Sequence, residues 1–195
     1  MTDGLVVGLD GLARCWWAGG APEYLAYHDH EWGRPVHGDD VIFERITLEA
    51  FQSGLSWLTI LRKREAFRKA FDGFSIPAVA AYGDEDVHRL LADAGIVRNR
   101  AKIDAAIANA RAAAALESGL DALVWSFAPS DRSRSAPARL ADIPASTAES
   151  VALAKELKRR GFRFVGPTTA YATMQACGLV DDHLVGCHAR SPSGR

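Results

Sequence analysis

Glu44-Arg-Ile-Thr-Leu-Glu-Ala-Phe-Gln-Ser-Gly-Leu-Ser-Trp-Leu-Thr-Ile-Leu-Arg-Lys-Arg64 reads as two helices meeting at a tight corner. Ser53-Gly54 is the break, and Ser56 is placed to cap the second helix. The first helix begins near Asp39 and sets Ile42, Ile46 and Ala50 on one face, with Glu49 at the edge of that face. Two readings of Glu49 stay open. It pairs with Arg45, four residues upstream and in the weaker orientation, for about 0.2–0.5 kcal/mol on an exposed helix. Alternatively it lines a pocket, where a buried carboxylate must find donors, find a cation or take up a proton.

Working outward, 195 residues suit one domain, or one domain with a closely packed subdomain, able to bury a real core, and nothing implies a multidomain machine. No apolar run spans a membrane and no signal-peptide pattern opens the chain, so the expectation is a cytoplasmic protein without a membrane partner. Three scattered cysteines do not form a disulfide framework. A net charge of −1 and a pI near 6.6 do not announce a nucleic-acid binder. Distribution says more: Arg62, Lys63, Arg64, Arg68 and Lys69 cluster, as do Arg98, Arg100 and Lys102, and again Lys155, Lys158, Arg159, Arg160 and Arg163. These are either one positive face or solvated helix surfaces beside acidic neighbours.

Residues 1–13 are expected to form a loosely packed, Gly-rich leader, and 189–195 a frayed tail. Between them, three of the five tryptophans and two of the four tyrosines crowd into 14–33, with Pro22 opening a helix through about Trp32. Helices are predicted to continue to Phe71, over 77–82 and 84–92, from the hairpin at 93–103 through about Leu116, over 120–127, from Thr147 to Arg160, and from Gly166 through about Cys177. Residues 128–144 read as a long surface loop. Alternating strand patterns are scarce, so the fold is expected to be all or mostly α. At the hairpin, Gly95 supplies the turn, and the following helix start beside Arg98, Arg100 and Lys102 suits a phosphate; an ordinary helix connection fits the same pattern.

His183 and Cys187 stand four apart, and Cys15 and His28 sit near the other terminus. Two thiolates and two imidazoles would make a closed tetrahedral zinc site of structural type. Buried thiols with ordinary histidines are the competing reading.

Taken together, the segments resemble the 3-methyladenine DNA glycosylase I family, constitutive alkylation-repair enzymes of bacteria. The likeness runs from about Arg14 to Cys187, through Arg-Cys-Trp-Trp at 14–17, Tyr-His-Asp-His-Glu-Trp-Gly at 27–33, Leu-Glu-Ala-Phe-Gln-Ser-Gly-Leu-Ser-Trp at 48–57 and Ile-Leu-Arg-Lys-Arg-Glu at 60–65. It continues through Gly-Ile-Val-Arg-Asn-Arg-Ala-Lys-Ile at 95–103, Lys-Arg-Arg-Gly-Phe-Arg-Phe-Val-Gly at 158–166 and Met-Gln-Ala-Cys-Gly-Leu-Val-Asp-Asp-His at 174–183. The resemblance implies an all-α helix-hairpin-helix glycosylase fold over 14–188, built as two packed helical subdomains. It also implies one structural Zn2+ on Cys15, His28, His183 and Cys187, joining the two ends of the chain.

It further implies hydrolysis of the N-glycosidic bond of N3-methyladenine in alkylated double-stranded DNA, by a monomer and without lyase chemistry. Glu49 then reads the extruded cationic base with Tyr27 and Trp57, joined by Trp17 and Trp32. Gly54 and Leu55 meet the DNA, Leu55 as a wedge, and Gly95, Arg98, Arg100 and Lys102 neighbour phosphates. The chain lacks a counterpart to the wider superfamily's essential Asp and nucleophilic Lys, and Asp104 lies too close to the hairpin to serve. It has Ala101 where some relatives have Gly, and Asp181 where Asn is common; Asp181 is placed to support a metal ligand. The rivals are a silent DNA-binding module and a zinc hydrolase, the latter needing an open coordination position.

Overall fold

In the computed structural model, which describes residues 4–130 and 135–190, the corner is built as the sequence predicts. Two α-helices, α1 (Pro22–His30) and α2 (Asp39–Gln52), precede the corner, and α3 (Trp57–Ala70) follows it. Ser56 caps α3, its hydroxyl accepting from the Thr59 N–H at 3.2 Å. Gly54 carries the chain through the corner at φ +81°, a conformation that costs an L side chain strain, and nothing stands within 4 Å of where a Cβ would project.

The centre of the fold is α2. Its Ile42, Phe43, Ile46, Leu48 and Phe51 are fully buried, because the helix is apolar on most of its circumference and is surrounded by others. It packs on α3, on α6 (Arg100–Ala114), on α7 (Leu120–Trp125) and on α9 (Pro167–Ala176), while α4 (Ile76–Ala80) and α5 (Asp84–Ala92) cover α6, and α8 (Ala148–Arg159) covers α9. Phe51 meets Phe67 edge-on at 4.8 Å between ring centroids, and Phe71 stacks on Phe74 at 5.6 Å, filling the space between α2 and the end of α3. Asn99 and Thr147 cap α6 and α8 with their side chains, and Gly161 follows α8 at φ +99°.

The amino-terminal region departs from the expected leader. Leu5–Val7 (β1) pairs antiparallel with Ala13–Cys15 (β2), Leu5 opposite Cys15, so the fold carries a small hairpin beside its helices. A separate small core of Cys15, Leu184, Cys187 and Ala189, with Leu5 and Trp17 against it, joins this hairpin to the carboxy-terminal segment. Ala189 is buried and Arg190 donates to the carbonyls of Asp181 and His183, so the packed chain extends past the expected tail boundary; 191–195 lie outside the described residues. Three-residue strands offer too little alternation to be read from sequence. Among the described residues, no helix is long and apolar enough to cross a membrane.

Candidate base pocket and metal centre

The corner and the aromatic segment enclose one cavity of about 250 Å³, lined by Trp17, Tyr24, Tyr27, Trp32, Glu49, Gln52, Trp57, Ala172 and Gln175. All five residues that the sequence assigns to base recognition therefore line one pocket. Helix α1 brings Tyr24 and Tyr27, one turn apart; the Tyr24 hydroxyl accepts from the Leu58 N–H at 3.0 Å and fixes α1 against the start of α3. Tyr27 lies against Trp57 at 5.4 Å, and Trp17 meets Trp32 edge-on at 5.2 Å. The indole N–H of Trp57 is buried and has no partner among the described residues.

Glu49 is 7% exposed, and no hydrogen-bond donor reaches it among the described residues. Burial pushes its carboxyl up to about 8, the nearby Arg45 charge opposing only part of that. The ion pair with Arg45 does not form. Arg45 Nη2 donates to Glu31 Oε2 at 3.1 Å, and Arg64 reaches the same carboxylate at 2.7 Å, so both cations pair with Glu31 and not with Glu49. Burial also raises the Tyr27 hydroxyl, with the Glu49 charge adding to it. The pocket thus holds an acid without its own counter-ion, walled by π faces, an arrangement suited to a flat cation.

A larger groove of about 630 Å³ lies near Asp39, Asp40, Ile76 and Pro77. Its acids are already engaged: Asp39 accepts from the Asp121 N–H and Asp40 from the Ile76 N–H, each at 2.8 Å. It offers no comparable chemistry.

Leu55 stands at the outer edge of the corner, 41% exposed beside Gly54. The basic residues are placed differently from the expectation. Lys102 does not face outward: it is buried, and its ammonium donates to the carbonyls of Phe51 at 2.8 Å and Ser53 at 2.6 Å, closing the end of α2. Carbonyls left unpaired by the corner outbid solvent for that cation. Arg100 is exposed and pairs with Asp104, Arg98 is exposed, and Asn99 Oδ1 accepts the Lys102 N–H, so the helix start is partly satisfied from within. Gly95 is needed for a close approach rather than a left-handed turn, since a Cβ there would stand 3.0 Å from Ala66 Cβ. Much of the other basic clusters is spent on acidic neighbours: Arg62 on Glu23, Arg68 on Glu44 and Glu65, Arg159 and Arg160 on Glu156. For these residues the solvated-surface reading holds.

At the junction of the chain ends, ligand atoms of Cys15, His28 and Cys187 lie within 4.8 Å of one another, a group that can hold a metal ion. Cys187 Sγ is 3.4 Å from His28 Nε2, and contact with Cys15 and His28 pulls the Cys187 thiol well below its ordinary value while Cys15 is pushed up. His183, the fourth expected ligand, stands outside that tight group, its ring 4.8 Å from the His28 ring and its Nε2 3.4 Å from the His28 carbonyl. The donor set fits a Cys2His2 site. Asp29 holds Nδ1 of His28 at 2.8 Å and Asp181 holds Nδ1 of His183 at 2.7 Å, which leaves both Nε2 atoms for an ion. Asp29 is itself gripped by Arg14 and His188, whose hydrogen bonds outweigh burial and keep its carboxyl below the usual range.

Sequence reasoning set Tyr24 on a face beside Tyr27 but gave it, Gln52, Ala172 and Gln175 no role in the site. Ala172 and Gln175 carry one signal, their i, i+3 spacing on α9, but nothing in the sequence says that this face meets the aromatic segment.

A helical corner beside an aromatic cavity with a buried acid belongs to a definite class. The fold is the all-α glycosylase fold of the solved structures on which it superposes. More particularly, the methyladenine glycosylase family model matches residues 17–191, and the chain belongs to that family. DNA-3-methyladenine glycosylase 1 of Escherichia coli (strain K12) is 50% identical over 179 residues, 90% of this chain and 96% of that protein. A crystal structure of 3-methyladenine DNA glycosylase I superposes with a TM-score of 0.87 at 49% identity, over 91% of this chain and all of that one. The Staphylococcus aureus enzyme, whose structure addresses 3-methyladenine recognition, gives 0.87 at 32% identity over 93% and 98% of the two chains.

Proposed function

We propose that this protein is a base-excision repair glycosylase that removes N3-methyladenine from alkylated double-stranded DNA. It acts as a cytoplasmic monomer whose single domain comprises two packed helical subdomains, with the Leu5–Val7 strand and Ala189 packed into it. The relatives are 3-methyladenine DNA glycosylases over nearly their whole length. The observation that carries the reading is the buried Glu49, without its own counter-ion, in a pocket walled by Tyr27, Trp57, Trp17 and Trp32.

N3-methylation makes the base cationic and a good leaving group. A base extruded from the stack would bring its positive charge to Glu49 and its faces to the aromatic walls. Bound cation restores the carboxylate's charge, so the binding is stronger for the modified base than for neutral adenine. The pocket's further work is to exclude competing bases and orient the sugar for attack by water, without covalent chemistry from the protein. Gly54 and Leu55 lie where the corner would meet the duplex, Leu55 filling the vacated stack. Gly95, Arg98 and Arg100 serve as phosphate neighbours, while Lys102 acts by holding the corner in shape.

Cys15, His28, His183 and Cys187 would hold one Zn2+, which when bound supplies a structural crosslink and no open position for chemistry. His28 directly follows Tyr27, so anchoring it fixes one wall of the pocket.

The test is release of free 3-methyladenine from methylated duplex DNA by the intact protein and by Glu49→Gln. Intact protein should release the base and the variant should lose most of that activity. No release by metal-loaded intact protein would leave a DNA-binding module.

A further inference from the structure

Gln175 lines the pocket from α9, and its amide is not free to turn. Its Nε2 donates to Asp182 Oδ2 at 2.8 Å, and the Tyr171 hydroxyl, one helical turn back, donates to the same oxygen. Asp182 is 1% exposed. With Nε2 directed at Asp182, the Oε1 of the same planar amide faces away from it. No donor reaches that oxygen among the described residues.

The polar inventory of the cavity is therefore lopsided. Glu49, Gln52 and Gln175 line it, the last with its amide nitrogen already taken by Asp182 so that only its oxygen is left to meet a ligand, and Trp57 presents an indole N–H without a partner among the described residues. We propose that Gln175, oriented by Asp182 and Tyr171, is a second base-reading acceptor that favours a purine bearing an amino group at C6 over one bearing a carbonyl there.

The inference rests on the glycosylase reading above. An N3-methylated purine is cationic whichever group C6 carries, so the charge of Glu49 alone separates modified from unmodified bases and does little to separate 3-methyladenine from 3-methylguanine. A fixed acceptor does separate them. It takes a hydrogen bond from the amino group of the first and meets the carbonyl oxygen of the second with like polarity, leaving two acceptors unpaired in a dry pocket. Asp182 and Tyr171 are positioning residues here, acting only through the amide they orient.

The experiment is single-turnover release of both bases from one preparation of methylated duplex DNA containing 3-methyladenine and 3-methylguanine, by the intact protein and by Gln175→Met. Methionine keeps the length of the side chain and removes the acceptor. The intact protein should release 3-methyladenine in clear preference, and in Q175M that preference should shrink about tenfold, through slower release of 3-methyladenine. Partial unfolding of the variant would slow both reactions alike and cancel in the ratio. An unchanged ratio, with both rates altered equally or not at all, overturns the role of Gln175. Absence of 3-methyladenine release by the intact protein overturns the glycosylase reading itself, a distinct outcome read from the unsubstituted chain.

Discussion

The carboxyl of Glu49 makes the stability of this protein depend on pH in a direction opposite to that of most acids. An ordinary glutamate titrates near 4.5, whereas burial lifts Glu49 to about 8. Between those two values the unfolded chain has released its proton and the folded chain has kept it. The folded state then binds more protons, so its stability falls as pH rises. The stabilisation is full below pH 4.5 and exhausted above pH 8. At about 1.4 kcal/mol per pH unit the interval of about 3.5 units sets a ceiling near 5 kcal/mol, and water in the adjoining cavity brings the expected loss to about 2–5 kcal/mol. Glu49→Gln removes the titrating proton and keeps the shape. Urea unfolding of both proteins from pH 5 to pH 8, without DNA, should show the variant gaining on the unsubstituted protein by about 2–3.5 kcal/mol as pH rises, the part of the titration that window spans. Parallel stability profiles would mean that Glu49 is paired or solvated, and the argument for a waiting acid would fail.

Glu49→Gln should also abolish most release of 3-methyladenine while leaving affinity for undamaged duplex DNA nearly intact, because the carboxylate meets the base and not the phosphates; equal loss of both in binding titrations rejects that role. Lys102→Met should cost about 2–3 kcal/mol in thermal unfolding by stripping the Phe51 and Ser53 carbonyls of their cationic donor; a change confined to the salt dependence of DNA binding would instead assign Lys102 to phosphate. His183→Ala should lower both bound zinc, by elemental analysis, and the melting temperature, and a variant as stable as the parent without metal rules out the crosslink. Leu55→Ala, at a position 41% exposed, should shift unfolding by less than about 0.5 kcal/mol yet slow excision from duplex DNA, and unchanged excision would dismiss the wedge.

The sequence by itself determined the helices and the corner, because capping and periodicity are local: Ser56, Asn99 and Thr147 cap the helices whose starts they mark, and Ile42, Ile46 and Ala50 face inward as their spacing requires. Motifs close in the chain were equally legible, and the quoted segments carried the family. What the sequence left open concerns groups that compete for the same partner across long separations. Whether Glu49 pairs with Arg45 depended on Glu31, fourteen positions before that arginine in the chain, which takes Arg45 instead. Lys102 looked like a phosphate contact until the corner's carbonyls, about fifty positions away, claimed it. Gln175 had no visible role before α9 met the aromatic segment. The hairpin at Leu5–Val7 was too short to show a pattern. Only the tertiary structure decides such contests, because a charge or an amide settles on the neighbour that repays its desolvation, and that neighbour is chosen by packing.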